Sequence, residues 1–584
     1  MTQYRVDERD LYFNMFECPG VDLLVENHPS PDAGEDTLRM IYEQSLAFCQ
    51  QVLAPLHHTS DRESCQFNNG EVTLPNGIAE AWSAYKELGL IGMLAPTEFG
   101  GSELPHFFGA PVVELECGSF VSFSMLPLLT RGAANLIETF GPDTLKHKFL
   151  EKMYSGEWSG TMCLTEPHAG TDVGASTTKA VPHGDGYLIT GTKIFITWGD
   201  HPLSENIIHL VLARLPDAPK GSRGLSLFAV PKNRVDDSGN ITGTNDVACG
   251  NIEHKMGIKA SPTCVMNFGT NNACLGYLVG EPNQGLAQMF QMMNSARIEV
   301  GVQGLAQGAA AYLAALDYAQ NRVQGSTKTD QGYRGVKIAE HPDVRRMLFT
   351  MKALVEGGRA LLYHLTLYED LAHHHKTDAA RYQGYVDLLT PICKSYGSDQ
   401  GFRITEMAIQ THGGYGYCQE YSVEQYMRDV KITSIYEGTN GVQAMDLVFR
   451  KILGDQGKTL QTWLKEIREF CGSQPVGVIK DRLLEATKAT EEAVKVFATC
   501  NQMDLVQYYA TDFQEAMSLL ASAYYLARQA KVASEKLATS DERFYGEKIK
   551  TCQFFAAQIL PKAIHTLNHI QAADRSGLEL AFLD

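Results

Sequence analysis

The spacing of apolar residues divides the chain into helical parts and one strand-rich part. Between residues 36 and 160, apolar side chains recur every three or four positions in runs such as TLRMIYEQSLAFCQQVLAPL and IAEAWSAYKELGLIGML, which predicts amphipathic helices. We expect Pro96 and Gly100–Gly101 to end the second run. Between 161 and 285, GYLITGTKIFIT, IIHLVLARL and GLSLFAVPK are short, rich in β-branched residues and separated by turn formers, which predicts strands.

Long helical periods return after the strand-rich part. The runs RIEVGVQGLAQGAAAYLAALDYAQNRV and VRRMLFTMKALVEGGRALLYHLTLYEDL predict a helical bundle, and GSQPVG is the best linker candidate before the last helical segment. The predicted segments are an N-terminal extension (1–35), an N-terminal helical domain (36–160), a middle β domain (161–285), a helical bundle (286–457) and an additional helical domain (458–584).

Length, charge and cysteine content limit the class of protein. With 584 residues, the chain exceeds the roughly 250–300 residues at which one hydrophobic core stops growing, so we expect several domains. A formal net charge of −18 argues against a nucleic-acid partner, since such proteins bind phosphates through clustered Lys and Arg. We find no signal-peptide-like start and no apolar stretch of about 18 residues, and predict a cytoplasmic protein without a membrane span. The 13 cysteines contain no C-x-x-C pair, which predicts free thiols.

Two runs of histidine raise the question of a metal site. These are His57–His58 and the run from His373 to His375. Adjacent residues point to different sides of a helix or loop, so such runs do not readily surround one ion. We therefore predict that both runs lie in solvated loops and that the protein holds no metal.

Glu437 lies in the stretch IYEGTNG, among apolar and small residues and directly before Gly438. Taken alone, EGTNGVQAMDL favours a structural role, with the carboxylate near the N-terminus of a helix. The alternative is a general base. An apolar pocket that excludes water disfavours the charged form of a carboxylate and so makes it a stronger base.

Three separated stretches carry a resemblance to one family. MCLTEPHAGTDVGA (162–175), ITGTKIFIT (189–197) and IYEGTNG (435–441) follow one another within a helix–strand–helix plan, and this combination resembles the FAD-dependent acyl-CoA dehydrogenases. LGLIGMLAPTEFGG, EHKMGIKASPT and QTHGGYGY add to the resemblance, which covers residues 36–453. The start RVDERDLYF and the extra C-terminal segment are similar to the long branch of that family, which includes bacterial broad-range and 3-(methylthio)propanoyl-CoA dehydrogenases.

The resemblance implies a fold and a reaction. The fold is mainly α with a central β domain: a helical N-domain, a β-barrel middle domain, a four-helix-bundle C-domain and an additional helical domain. The reaction converts an acyl-CoA thioester into a trans-2-enoyl-CoA, with Glu437 abstracting the α proton and flavin N5 accepting the β hydride. The backbone N–H of Glu437 stabilises the thioester oxygen, and Gly438 allows close approach of the backbone. Some relatives carry the base just before the residue that matches Arg297, where this chain has Ala296, so Glu437 is left as the candidate.

The resemblance also implies residues that bind FAD. Thr165 faces the pyrimidine side of the flavin, Thr197 lies near N5, and Phe195 stands where relatives commonly have Trp. A buried strand residue is the alternative for Phe195, and an ordinary turn is the alternative for the residues after Thr165. Arg322 matches the arginine that pairs with the pyrophosphate, since a guanidinium fork suits two phosphates. The other implied FAD residues are Met162, Thr439 and, at the adenosine end bound mainly by a neighbouring subunit, Gln410, Gly413 and Gly414.

Substrate-binding residues are implied in the same way. Thr171 lies near the thioester end, Gly438 beside the base, and Asn294 and Arg297 near the pantetheine arm of CoA. A helix cap or a surface pair is the alternative for Asn294 and Arg297. The acyl chain length is not determined by the sequence.

The implied partner and the competing functions complete the prediction. We expect a role in fatty acid β-oxidation, an electron-transfer flavoprotein as electron acceptor and a homodimer, because the extra helices would cover the face by which shorter relatives form tetramers. An acyl-CoA oxidase is disfavoured by the ending LELAFLD, which lacks S-K-L, and by E-G-T in place of E-G-D-N. A DNA-associated alkylation-response flavoprotein is disfavoured by the mixed charges of KVASEKLATSDERFYGEKIK.

Overall fold

The computed structural model describes residues 4–18, 21–473, 477–538 and 541–581. The predicted linker GSQPVG (472–477) therefore lies partly outside the described residues. The α-helices are α1 Glu8–Tyr12, α2 Val21–Asn27, α3 Glu35–Phe48, α4 Ala54–Glu63, α5 Ile78–Glu87, α6 His106–Phe140, α7 Asp143–Tyr154, α8 Gly285–Asn321, α9 Pro342–His374, α10 Ala379–His412, α11 Val423–Val430, α12 Asn440–Met445, α13 Lys458–Ser473, α14 Val478–Thr499, α15 Met503–Glu535, α16 Glu542–Phe554, α17 Leu560–Gln571 and α18 Ser576–Glu579.

The strands lie in the middle of the chain, apart from two short hairpins. They are β1 Gln66–Asn68, β2 Glu71–Thr73, β3 Trp158–Cys163, β4 Lys179–His183, β5 Gly186–Thr197, β6 Asn206–Arg214, β7 Leu225–Pro231, β8 Asn233–Val235, β9 Ile241–Thr244, β10 Val247–Ile252, β11 Thr263–Phe268, β12 Leu275–Val279, β13 Val323–Thr329 and β14 Gly332–Lys337.

The chain forms two compact units. The helical unit consists of Met1–Arg39, Pro105–Gly118 and Val300–Asp584, and the sheet unit of Met40–Leu104 and Ser119–Glu299. In the sheet unit, strands are hydrogen-bonded in the order β10-β11-β5-β12-β7-β6-β3, with β4 paired to β5 and β6. The pair β3–β6 is parallel, whereas β5, β7, β10, β11 and β12 pair with their neighbours in antiparallel fashion.

Alternate residues of β6 pack into two hydrophobic clusters of the sheet unit. Leu210 and Leu212 join a cluster with residues of α6 and α7, such as Phe149. Val211 and Ala213 join a second cluster with residues of β5, β7, β10 and β11. Successive side chains of a strand point to opposite faces, and a strand covered on both faces reads as a continuous apolar run. Because strands from distant positions in the sheet order meet in the second cluster, the sheet curves over it, in agreement with the predicted β-barrel domain.

Glycines bring α8 and α10 of the helical unit into backbone contact. A Cβ atom built at Gly397 would lie 1.9 Å from the carbonyl oxygen of Gly301, and one at Gly304 would lie 2.2 Å from that of Gly397. A Cβ at Gly401 would lie 2.2 Å from the oxygen of Gly304. The obstructing atoms belong to the backbone, so no side chain can move aside, and the two helices keep this separation only with glycine at these positions.

Substituting Gly397 with alanine should therefore destabilise the helical unit. We expect a loss of about 1–3 kcal/mol or more, because overpacking forces the backbones apart, and a lower midpoint of thermal unfolding followed by circular dichroism. Gly472→Ala in α13 is the matched control, since its Cβ would meet nothing within 4 Å and alanine has the higher helix propensity. Equal midpoints for the two variants would contradict a backbone contact at Gly397.

Several local predictions are corrected by the fold. The run IAEAWSAYKELGLIGML does not stay helical to its end: α5 stops at Glu87, followed by Gly89 with φ +68°, a conformation that glycine adopts easily. The histidine runs lie largely in helices rather than in solvated loops. His57 is buried within α4 with its ring 5.9 Å from that of Phe120, and His374 ends α9 with its ring 4.6 Å from that of His28, so ring packing replaces part of the contact with water. Only His375 follows the helix. No group of His, Cys, Asp or Glu in the described ranges is arranged to hold a metal ion.

Helix α6 contradicts the expectation that no stretch of about 18 residues is apolar enough to span a membrane. By length and composition it could cross a membrane, but its most apolar window is entirely buried within the protein. The prediction of free thiols is confirmed for all 13 cysteines.

Candidate active site

Glu437 lies in the loop 435–439, between a 3-10 turn and α12. Its side chain is half-buried, and its backbone has φ +56°, followed by Gly438 with φ +81°. A non-glycine residue is uncommon in this left-handed region, and such strain concentrates at functional sites. Helix α12 begins only at Asn440, and Thr439 is its N-cap, with Oγ1 accepting from the backbone N–H of Val442 at 3.2 Å. Glu437 therefore lies two residues before the N-cap, outside the first helical turn.

A buried lysine contacts the backbone of this loop. Lys394, in the middle of α10, is 0% exposed. Its Nζ donates to the carbonyl oxygen of Gly438 at 2.9 Å and to Oδ1 of Asn440 at 2.8 Å. Sequence reasoning missed this residue. The available signal was a lysine within the otherwise apolar and small stretch TPICKSYGS.

Further polar groups of the helical unit complete the support of the loop. Nδ2 of Asn440 donates to Oδ1 of Asp399 at 2.8 Å, and burial raises the pKa of Asp399. Nε2 of Gln443 donates to the carbonyl oxygen of Glu437 at 3.3 Å. The hydroxyl of Tyr436 donates to Oε1 of Gln303, and burial raises the pKa of this tyrosine well above its usual value. The residues on both sides of the Glu437 side chain are thus fixed by bonds to α8, α10 and α12.

A second set of predicted residues gathers elsewhere in the helical unit. Arg322 follows α8, is exposed, and has its Cζ atom 5.6 Å from the centre of the Tyr415 ring. Gly413, with φ +63°, ends α10 and donates its N–H to the carbonyl oxygen of Gln410. A Cβ atom at Gly413 or Gly414 would meet nothing within 4 Å. The structure thus brings Arg322 beside the GGYGY turn and leaves open space over Gly413 and Gly414.

The sheet unit holds the residues predicted to face the flavin ring. Met162 is buried near the end of β3, and the carbonyl oxygen of Thr165 accepts from the N–H of Ile194 in β5 at 2.9 Å. The side chains of Thr165 and Thr197 are half-buried, and neither hydroxyl has a hydrogen-bond partner in the part of the chain that the structure describes. Phe195 is 59% exposed with φ +58°, so the alternative of a buried strand residue is wrong.

The turn after Thr165 is built around a buried ion pair. Glu166 and Ala169 exchange two backbone hydrogen bonds of 3.0 Å, so the turn considered from the sequence exists. Lys193 donates to the carboxylate of Glu166 at 2.9 Å, and both side chains are buried. Burial alone raises the pKa of Glu166, but the charge of Lys193 and the bonds from nearby threonines outweigh it and lower the pKa to about 2. Thr171 follows this turn and is exposed.

Asn294 and Arg297 lie within α8. Arg297 is buried, its Nη1 donates to Oδ1 of Asn294 at 3.4 Å, and its guanidinium lies 5.8 Å from the centre of the Phe290 ring. The alternatives of a helix cap and a surface pair are therefore wrong, because the residues are inside the helix and the arginine is buried. Ala296 beside it is also buried, and its methyl side chain cannot act as a base.

The sequence matches four family models that together span most of its length. They are the acyl-CoA dehydrogenase N-terminal domain (35–157), middle domain (161–270) and C-terminal domain (283–452), and an acetyl-CoA dehydrogenase C-terminal-like domain (463–581). The chain belongs to the acyl-CoA dehydrogenase family. The predicted family, fold class and enzyme class are thereby confirmed.

Individual relatives of this acyl-CoA dehydrogenase cover nearly the whole chain. It is 41% identical to a 3-methylmercaptopropionyl-CoA dehydrogenase of Ruegeria pomeroyi, over 95% of this chain and 96% of that protein. It is 37% identical to a butyryl-CoA dehydrogenase of Syntrophomonas wolfei, over 99% and 98% of the two chains. A solved structure of an acyl-CoA dehydrogenase from Bacillus anthracis, complexed with FAD, has a TM-score of 0.74 and 21% identity, over 98% of this chain and 92% of that one.

Proposed function

We propose that this acyl-CoA dehydrogenase converts an acyl-CoA thioester into a trans-2-enoyl-CoA, with Glu437 as the base that accepts the α proton. The observation that carries the proposal is the position of Glu437: a half-buried carboxylate on a left-handed backbone, held on both sides by bonds to buried polar groups. A base that is fixed before substrate binds needs little rearrangement when the proton is transferred.

The cofactor of this dehydrogenase is FAD, and the described residues fit it. The hydroxyls of Thr165 and Thr197 can each serve a polar group of the flavin, since no described residue forms a hydrogen bond with either of them. The exposed guanidinium of Arg322 suits a pyrophosphate, and the open backbone at Gly413 and Gly414 can lie against a planar group. When bound, FAD supplies the acceptor for the β hydride.

Glu437 has two roles in the proposed reaction. Its carboxylate accepts the α proton, and its backbone N–H donates to the thioester oxygen and so stabilises the charge that develops there. The same loop thus carries the base and the donor. We assign Thr171 and Arg297 with Asn294 to binding of the CoA thioester, and Thr439, Gln410 and Met162 to FAD.

The substrate class and partner are also part of the proposal. Relatives named for methylmercaptopropionyl-CoA and butyryl-CoA support a short acyl group, with or without a thioether sulfur. We further propose a homodimer in the cytoplasm that passes electrons to an electron-transfer flavoprotein, within β-oxidation or a related degradation of acyl-CoA esters.

An anaerobic titration of the purified yellow protein tests this function. Butanoyl-, octanoyl-, palmitoyl- and 3-(methylthio)propanoyl-CoA would each be added while the visible absorbance of the oxidised flavin is followed. We expect bleaching by the short thioesters and by little else. If no thioester bleached the flavin, the dehydrogenation would have to be abandoned. If a thioester did bleach it, and admitting oxygen then reoxidised the flavin rapidly with release of hydrogen peroxide, the acyl-CoA oxidase would be favoured instead.

A further inference from the structure

Lys394 is an unusual residue for the interior of a helical bundle. Its side chain is 0% exposed, and lysine is rarely buried unless its ammonium is well compensated. The compensation includes two short bonds to neutral oxygens, the carbonyl of Gly438 and the side-chain Oδ1 of Asn440, at 2.9 and 2.8 Å. Both acceptors belong to the segment that carries Glu437.

The two bonds of Lys394 join the loop that carries Glu437 to the first residue of the helix that follows it. Gly438 directly follows Glu437 and has φ +81°, whereas Asn440 is the first residue of α12. One ammonium that binds both oxygens holds the carbonyl of the left-handed segment at a fixed place relative to the helix. Bonds to a charged donor are about twice as strong as neutral ones, so they can maintain a backbone conformation that is strained at Glu437.

The surrounding network keeps Asn440 in the orientation that Lys394 requires. Nδ2 of Asn440 donates to Oγ of Ser398 at 2.9 Å and to Oδ1 of Asp399 at 2.8 Å. With its amide nitrogen directed to these acceptors, Asn440 presents its oxygen to the ammonium. Lys394, Ser398 and Asp399 all lie on α10, so one helix carries the groups that bind and orient Asn440.

We propose that Lys394 is the positioning residue for Glu437. By binding the carbonyl of Gly438 and the side chain of Asn440, its ammonium keeps Glu437 in the left-handed conformation and so fixes the carboxylate for transfer of the α proton. The inference depends on the proposed function, since it assigns a role in the same reaction. Lys394 acts through Glu437 and need not touch the acyl-CoA.

The test compares Lys394→Met with wild type as folded, FAD-loaded enzymes. We expect kcat to fall by about 10–100-fold, because small misplacements of a reacting group have effects of this size, with KM changed by less than about threefold, since binding of CoA is not disturbed. The kinetic isotope effect from an α-deuterated acyl-CoA should rise, because proton abstraction becomes slower relative to the other steps. Lys394→Arg, which keeps the charge, should retain more activity than Lys394→Met.

Ser395→Ala serves as the matched control on α10. Ser395 is buried next to Lys394, and its hydroxyl donates to the carbonyl oxygen of Ile392 in the same helix. The variant leaves both bonds of Lys394 in place, so kcat and the isotope effect should stay close to wild type. A folded Lys394→Met enzyme with wild-type kcat and isotope effect would overturn the proposal, as would an equal loss in Ser395→Ala.

A second measurement does not depend on catalysis. Amide hydrogen exchange of peptides covering 435–443 should be faster in Lys394→Met than in wild type, with other helices unchanged. If Lys394→Met fails to fold, Asn440→Ala takes its place, because it removes one acceptor of the ammonium. It should likewise speed the exchange of 435–443 and lower kcat. Unchanged exchange and unchanged kcat in Asn440→Ala would refute the proposal. A wild-type enzyme inactive on every acyl-CoA would instead contradict the proposed function, while exchange would still report whether Lys394 holds the loop.

Discussion

Substitution of Glu437 with glutamine should lower the rate constant of anaerobic flavin reduction by about 10²–10⁴-fold, the usual contribution of a positioned general base. Glutamine has nearly the same shape but cannot accept a proton. Lys394 and Gln443 bind backbone carbonyl oxygens of the loop, and the substitution leaves these acceptors in place, so we expect the loop to keep its conformation. The rate is measured by stopped-flow absorbance with the best acyl-CoA from the titration panel.

Two controls separate loss of the base from loss of the site. The content of bound FAD and the spectral change on adding product enoyl-CoA should match those of wild type in Glu437→Gln. Glu437→Asp should have an intermediate rate, because its carboxylate is withdrawn by one methylene group and a displacement of about 1 Å can lower a rate by about 10²-fold. Near wild-type reduction of the flavin in Glu437→Gln would show that another group removes the α proton.

Substitution of Arg359 with leucine should destabilise the helical unit by about 3–5 kcal/mol, as expected when one partner of a buried ion pair is removed. Arg359 is buried in α9, and its guanidinium binds the carboxylates of Glu114 and Asp10. Burial by itself raises the pKa of Asp10, but the charges of Lys548 and Arg359 outweigh it and lower the pKa. Without Arg359, Glu114 would be left buried with reduced compensation. Since whole domains are stable by roughly 5–15 kcal/mol, this loss is a large fraction of the total.

The effect of Arg359→Leu is measured as the change in thermal unfolding midpoint against Arg346→Leu on the same helix. Arg346 pairs with Asp343, and both side chains are more than half exposed. Exposed pairs contribute about 0–1 kcal/mol, so this control should unfold close to wild type. Equal midpoints for the two variants would mean that the buried network contributes no more than a surface pair.

Much of the fold and part of the site could be predicted from the sequence. The long helices α8, α9 and α10 follow the helical spacing of apolar residues, which recur every three or four positions. Strands β5, β6 and β7 coincide with the short runs rich in β-branched residues that turn formers separate. Glu437 was found because its neighbours form a contiguous motif, and a contiguous motif is fully visible in the order of residues.

Other predictions failed because neighbours in sequence were a poor guide to surroundings in space. A run of histidines looked solvated, yet His374 packs on the ring of His28. The run IAEAWSAYKELGLIGML had helical apolar spacing throughout, but α5 ends at Glu87, shortly before Gly89 with its positive φ. In each case a contact or a backbone angle outweighed the local pattern.

The family, the order of helical and strand-rich segments, and Glu437 as the candidate base could all be inferred from the order of residues alone. The groups that support the site and the helical unit became visible only in the folded chain: Lys394 bound to the Glu437 loop, the pair of Glu166 and Lys193 in the turn after Thr165, and Arg359 between two carboxylates. These partners are separated by many residues along the chain. Local spacing carries no information about them, because the energy of a buried charge depends on which distant groups folding brings within hydrogen-bond distance.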